Sequence, residues 1–191
     1  LLYQQVSKTV AVEVHDPWQE QKSEYQNIPF FSLSQVCANE LLVVAVPVSA
    51  ILEVSRAMAK HLMPGTTVMD VCAVKKYPLK ILEEHLPKNI YLLRSHPLFG
   101  PDSVQNSLQD HIMILTPYRI PVVRLENFKK FWTSFGIKII EMSADEQDRL
   151  MAWSLALTHF LGRGLHNLPL PDTAVATKDF QNLVQLTRKI N

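Results

Sequence analysis

Apolar and polar positions alternate between two periods along the first three-quarters of the chain. Leu41-Leu-Val-Val-Ala-Val46 is a continuous, β-branched run, which predicts a strand buried on both faces by flanking helices. Pro47 closes it, and Val48 to Leu62 reads as a helix stopped by Pro64-Gly65. Thr66 to Asp70 predicts the next strand, followed by Val71-Cys-Ala-Val-Lys75 and a helix from Lys76 to Leu86. Tyr91 to Arg94 is a further strand, and residues from Phe99 to Asp110 form a loop. His111 to Leu115 predicts a strand ended by Thr116-Pro117, before a helix over Val122 to Phe135 and a strand over Ile137 to Glu141. Ahead of this series, Leu1 to Ser7 has the pattern of a helix end and Thr9 to Val14 that of a short strand. Pro17 then opens a polar helical segment with Asp16 as a candidate cap. Ile28 to Phe31 predicts a short strand, and Ser32 starts a brief helix through Val36.

Strand and helix recurring at this interval predict an α/β fold with a doubly wound, mostly parallel sheet. The period then changes. Ser143-Ala-Asp-Glu146 reads as a capping box that opens a long helix over Asp145 to Leu165. Pro169 and Pro171 break it, and Asp172 to Ile190 reads as a second helix. The division expected is a nucleotide-binding domain over 1–143 and the start of an all-helical domain over 144–191. Two helices alone cannot cover each other's apolar faces, so these require more chain or another subunit.

Composition narrows the class. The 191 residues are 47% hydrophobic and 19% charged, enough for a sizeable core. A formal charge of +1 supplies no basic field, which argues against a nucleic-acid partner. The two cysteines, Cys37 and Cys72, form neither a disulfide framework nor a metal cluster and suit a reduced, cytoplasmic compartment. The longest apolar run, Leu41 to Leu52, is too short for a bilayer, so no membrane partner is expected.

The candidate chemistry sits at Arg94-Ser-His-Pro-Leu-Phe-Gly-Pro-Asp102. In an open α/β sheet, ligands bind beyond the carboxyl ends of the strands, which is where His96 falls. An imidazole of near-neutral pKa suits a base that takes a hydroxyl proton during hydride transfer. Asp16 ends what would be the second strand of a Rossmann-like sheet, where an acidic side chain accepts ribose hydroxyls; the alternative is a helix cap. The glycine-rich turn that should precede it by about 20 residues is absent, and only five glycines occur in the chain. That turn and the first strand, central in such a sheet, are expected to lie upstream of the given chain. The rival is a domain that never bound a nucleotide.

Four segments in order carry a family resemblance. His96-Pro-Leu-Phe-Gly-Pro-Asp102 resembles the His-Pro-Met-Phe-Gly-Pro segment of prephenate and arogenate dehydrogenases, enzymes of tyrosine biosynthesis. Val43-Val-Ala-Val-Pro-Val48 resembles their cofactor strand and loop, and Asp70-Val-Cys-Ala-Val-Lys75 their Asp-x-x-Ser-Val-Lys segment. Asp145-Glu-Gln-Asp148, with Met151-Ala and Thr158-His-Phe160, is similar to the start of their long C-terminal helix. The resemblance implies oxidative decarboxylation of prephenate, or alternatively arogenate. Hydride leaves ring carbon C4 for NAD, His96 takes the C4 hydroxyl proton, and carbon dioxide leaves as the ring aromatises. It also implies that His159, Gly100 and Ala73 meet the substrate, and that Asp16, Ala45, Val46, Pro47, Asp70 and Lys75 lie along the cofactor. Gly100 is expected to permit a turn that other residues avoid. NADP would need an arginine after Asp16, where only Lys22 occurs, so NAD is preferred. No metal is required, and the family's homodimer forms through its helical domain.

Two departures stand out. The serine of the family's Ser-Val-Lys is Ala73, and its Glu-His-Asp is Glu146-Gln-Asp148. The arginine that clamps the substrate carboxylate in the family lies beyond residue 191. The chain as given is therefore expected to be inactive by itself, and a diverged or non-catalytic domain remains the alternative to a dehydrogenase.

Overall fold

The computed structural model describes residues 5–20, 22, 25–100, 103–104, 107–171 and 173–189. Their contacts divide into two units, Leu1–Ala144 and Asp145–Asn191. The first unit contains, in order, helix α1 (Leu33–Val36), strand β1 (Leu41–Val44), a 3-10 turn (Val48–Ala50) and helix α2 (Ile51–Met58). Strand β2 (Thr67–Asp70), helix α3 (Lys76–His85), strand β3 (Tyr91–Pro97), strand β4 (Ile112–Arg119), helix α4 (Val122–Thr133) and strand β5 (Lys138–Glu141) follow.

The five strands form one sheet in the order β1-β2-β3-β4-β5. β1, β2 and β3 run parallel, β4 is antiparallel to β3, and β5 is parallel to β4. This is the expected mixed, mostly parallel Rossmann-like sheet, and the reversal at β4 explains how both faces are covered. Right-handed crossovers put α2 and α3 on one face; once strand direction reverses, the same handedness puts α4 on the other. The core divides accordingly. Val44, Ile51, Met58, Val68, Leu82 and Leu92 cluster on the first face. Met69, Leu93, Met113, Leu115, Phe128 and Trp132 cluster on the second.

Local chemistry explains the element ends. Ser32 caps α1 in a capping box with Gln35. Gly65, at φ +86°, takes the left-handed conformation that lets the chain turn from α2 into β2. Gly136, at φ +79°, does so between α4 and β5.

Several expectations are corrected. Thr9 to Val14 and Ile28 to Phe31 are not strands of the sheet; they meet only in one parallel bridge between Val14 and Phe30. The segment after Pro17 is a turn over 17–20 and not a helix, because it has no apolar face to bury. β1 is not buried on both faces. Among the described residues it pairs only with β2, and Leu41 and Val43 remain 38% and 37% exposed. β3 continues through His96 to Pro97, and β4 continues past Thr116-Pro117 to Arg119. Pro117 is accommodated because it lies beyond the last β5 pairing, at Leu115, and beside a register shift against Leu92/Leu93. The helix expected from Val48 begins as a 3-10 turn and the α-helix proper ends at Met58.

Helix α5 (Ala144–Met151) begins at the last residue of the first unit and continues in the second through a π-helical stretch (Ala152–Ala156) into helix α6 (Leu157–His166). Helix α7 (Lys178–Lys189) follows the Pro169 and Pro171 break. Leu1–Gln4, Pro101, Asp102, Asp172 and Ile190, which fall in expected elements, lie outside the described residues. Among the described residues no helix is long and apolar enough to cross a membrane.

Candidate active site

Because β1, β2 and β3 are parallel, their carboxyl ends share one edge of the sheet, the edge where such folds bind ligands. Val44, Asp70 and Arg94 lie side by side in register there. The chain therefore brings Ala45-Val46-Pro47, Asp70 to Lys75 and Ser95 to Gly100 to one edge. Ala45 and Pro47 are exposed and Val46 is half-buried. Ala73 is half-buried in the loop leaving β2.

His96 is inside β3, paired with Ile114 of β4. Its position is thus set by its pairing with β4, which continues through Ser95 and Pro97 on either side of it along the chain. Among the described residues its Nδ1 is buried without a hydrogen-bond partner. Burial first, and the nearby Lys75 charge second, push its pKa down to about 4. The ring is held neutral, the form that can accept a proton.

Lys75 and Asp70 form the most buried polar feature of this edge, each side chain 0% exposed. Lys75 Nζ donates to Asp70 Oδ1 at 2.5 Å and to the Ser95 carbonyl at 2.7 Å. Asp70 Oδ1 also accepts from the Cys72 N–H at 3.0 Å, whereas among the described residues Oδ2 is buried without a hydrogen-bond partner. Ser95 Oγ donates to the Asp70 carbonyl at 3.0 Å. Burial pushes the Asp70 carboxyl up and the Lys75 ammonium down, and their mutual attraction opposes both displacements. The Cys72 thiol, buried beside Asp70, is pushed up to about 11, so it is not a nucleophile here.

The other anticipated residues are placed as follows. Asp16 Oδ1 accepts from the Trp18 and Gln19 N–H groups at 3.0 and 3.1 Å, closing the turn that follows it. Gly100 does not have the positive φ expected of it, and a Cβ there would meet nothing within 4 Å. Its turn is instead closed by Ser103, whose Oγ accepts the Gly100 N–H at 2.9 Å and donates to the Gly100 carbonyl. Arg94 is buried and structural: Nε donates to the Thr116 carbonyl at 3.0 Å and the guanidinium lies over the Tyr118 ring. His159 belongs to the second unit, exposed on α6. Ser95, which ties β3 to β2 directly before His96, carries no sequence signal beyond its place beside that histidine.

Among the described residues, no group of three or more His, Cys, Asp or Glu side chains could hold a metal ion.

Residues 6–141 match the family model described as prephenate dehydrogenase, nucleotide-binding domain. The chain is 32% identical over 139 residues to arogenate dehydrogenase 1, chloroplastic, of Arabidopsis thaliana, a stretch that covers 69% of this chain and 22% of that protein. It is 34% identical over 129 residues to the cyclohexadienyl dehydrogenase of Zymomonas mobilis, covering 64% of this chain and 44% of that protein. The chain thus spans less than half the length of either relative. Among solved structures, the fold is similar to the A. aeolicus prephenate dehydrogenase in complex with hydroxyphenyl propionate and NAD+. There the TM-score is 0.72 at 21% identity, over 98% of this chain and 75% of that one. Synechocystis arogenate dehydrogenase gives a TM-score of 0.65 at 18% identity, over 84% of this chain and 63% of that one.

Proposed function

The chain belongs to the family of the prephenate dehydrogenase nucleotide-binding domain, and from that membership we propose that it forms the cofactor-binding part of an NAD-linked dehydrogenase acting on prephenate or arogenate. The observation that carries the reading is the placement of His96. It lies at the shared carboxyl edge of three parallel strands, with its ring kept neutral and Nδ1 unpartnered.

The residues present fit the half of a dinucleotide that carries its reactive ring. The strand ends and the Ala45-Val46-Pro47 loop would line the cofactor's path along this edge, with Asp70 and Lys75 buried between β2 and β3. Asp16 would meet the ribose hydroxyls through Oδ2, since Oδ1 closes its own turn. A glycine turn for the pyrophosphate is not among the residues of this chain. When bound, NAD supplies the hydride acceptor. His96 then accepts the C4 hydroxyl proton as hydride leaves that carbon, and loss of the ring carboxyl group as carbon dioxide makes the ring aromatic. The proton on His96 is returned as the phenol forms. Gly100 and Ala73 would border the substrate.

Two features bear on the assembled protein. Trp153 and Phe160 are 70% and 72% exposed on the π-helical stretch and α6, which supports self-association of the second unit as a homodimer. The two relatives named above act, by their names, on arogenate or cyclohexadienyl compounds, which supports a C4-hydroxyl cyclohexadiene as the substrate class.

The test is NAD reduction by the full gene product that carries this chain, with prephenate and, separately, with arogenate, alongside NAD binding by calorimetry and the His96→Asn variant. The expected result is NADH formation with one of the two substrates, and a rate at least 100-fold lower in the variant. Absence of both NAD binding and turnover, or equal rates for the two proteins, overturns the proposal.

A further inference from the structure

We propose that Lys75 is a positioning residue for His96: its buried side chain joins Asp70 of β2 to the Ser95 carbonyl of β3 and so fixes the peptide plane that carries the histidine. The inference rests on His96 being the base proposed above, and it deepens that reading.

The geometry is specific. The Ser95 carbonyl belongs to the peptide unit whose N–H is that of His96, so the bond from Lys75 Nζ at 2.7 Å grips His96 by its own backbone. The Ser95 hydroxyl, bonded to the Asp70 carbonyl at 3.0 Å, adds a second tie to β2. Lys75 is the N-cap residue of α3 and its side chain turns back from the helix into the sheet edge. A fully buried ammonium–carboxylate pair is not a good source of stability, because desolvating the two groups consumes most of what their attraction returns. Placing one here makes physical sense if it sets a geometry. It spans β2, the loop after it and β3, and it converges on the residue before His96. The bond to Ser95 survives wherever the pair's proton resides, since an amine donates as an ammonium does.

Charge works in the same direction. Among the described residues, Asp70, Cys72 and Arg94 are charged or titratable groups around Lys75. Of the four, Lys75 is the one that acts on His96, opposing its protonation. Lys75 therefore fixes the peptide that carries the imidazole and, after burial, adds to the lowering of its proton affinity.

Nuclear magnetic resonance on the isotope-labelled protein tests this without requiring turnover, comparing wild type with Lys75→Met. The amide nitrogen shift of a residue responds to hydrogen bonding at the preceding carbonyl. The His96 amide is therefore expected to move, and its ring to titrate about one pH unit higher once the neighbouring cation is gone. In turnover, kcat should fall at least 10-fold with KM within about 2-fold, the pattern of a misplaced base. Where Lys75→Met leaves Asp70 unpaired and fails to fold, the double variant Asp70→Asn/Lys75→Met removes both charges and carries the same measurements. A folded variant whose His96 amide and ring titration match wild type overturns the proposal. A protein that reduces NAD with neither substrate overturns the function above but leaves these two resonance measurements to decide the role of Lys75.

Discussion

Replacing His96 with asparagine tests whether the protein holds that imidazole uncharged. The ring titrates near 4 in the folded protein and near 6.5 in the unfolded chain, so the unfolded state binds the proton more readily. Stability is therefore whole above about pH 6.5 and declines as pH falls toward 4, where the folded ring also begins to protonate. A separation of about 2.5 between the two values corresponds to ~3.4 kcal/mol at ~1.4 kcal/mol for each. The ring is partly solvent-facing, and screening reduces this to about 2 kcal/mol. Urea unfolding of wild type and His96→Asn at about pH 7.5 and about pH 4 supplies the four free energies needed. Every other carboxyl and histidine contributes equally to the two proteins and cancels in the double difference. Wild type should lose about 2 kcal/mol more than the variant between the two conditions. Identical losses, or a larger loss in the variant, would refute the claim that burial and Lys75 keep this ring neutral.

Three further substitutions probe the framework that presents the site. Gly136→Ala places a Cβ 3.1 Å from the Gln109 backbone at a φ of +79°, and should cost at least 1 kcal/mol in urea unfolding. Met113→Ala empties a fully buried position opposite Pro97 in β4; a cost of about 2–5 kcal/mol is expected, read as a lowered urea midpoint. Ser32→Ala removes the cap of α1 and should cost about 1 kcal/mol by the same measurement, since Gln35 loses its reciprocal partner.

The elements whose burial is continuous were legible from the chain alone. The runs at Thr66 to Asp70 and Tyr91 to Arg94 are strands and Ser32 does cap a short helix, whereas the helix expected to run to Pro64-Gly65 ends at Met58. Those runs are readable because consecutive residues bury against opposite faces, Val68 and Leu92 on one and Met69 and Leu93 on the other. His96, too, was marked by its neighbours along the chain. What failed were judgements that need a partner. Thr9 to Val14 alternates as a strand should, yet among the described residues its strand pairing is limited to one bridge between Val14 and Phe30, since pairing belongs to two segments and not one. Leu41 to Val46 reads as a covered strand, but coverage is decided by what lies across the sheet, and the described sheet leaves Leu41 and Val43 half-open. Gly100 suggested backbone freedom, and the fold closes that turn with the Ser103 hydroxyl instead.

Tertiary structure alone also decided the meaning of Lys75. In the chain it is a cation between a strand and a helix, equally suited to solvent, to a cofactor or to a helix start. Folding places Asp70 and Ser95, 5 and 20 residues away in sequence, within 2.5 and 2.7 Å of its nitrogen. A buried ammonium goes where acceptors converge, and convergence across two strands is a property of register, which periodicity does not encode. Residue types and their order thus determined the class of fold and pointed to His96. The parallel register of β2 and β3 determined which side chains stand behind it.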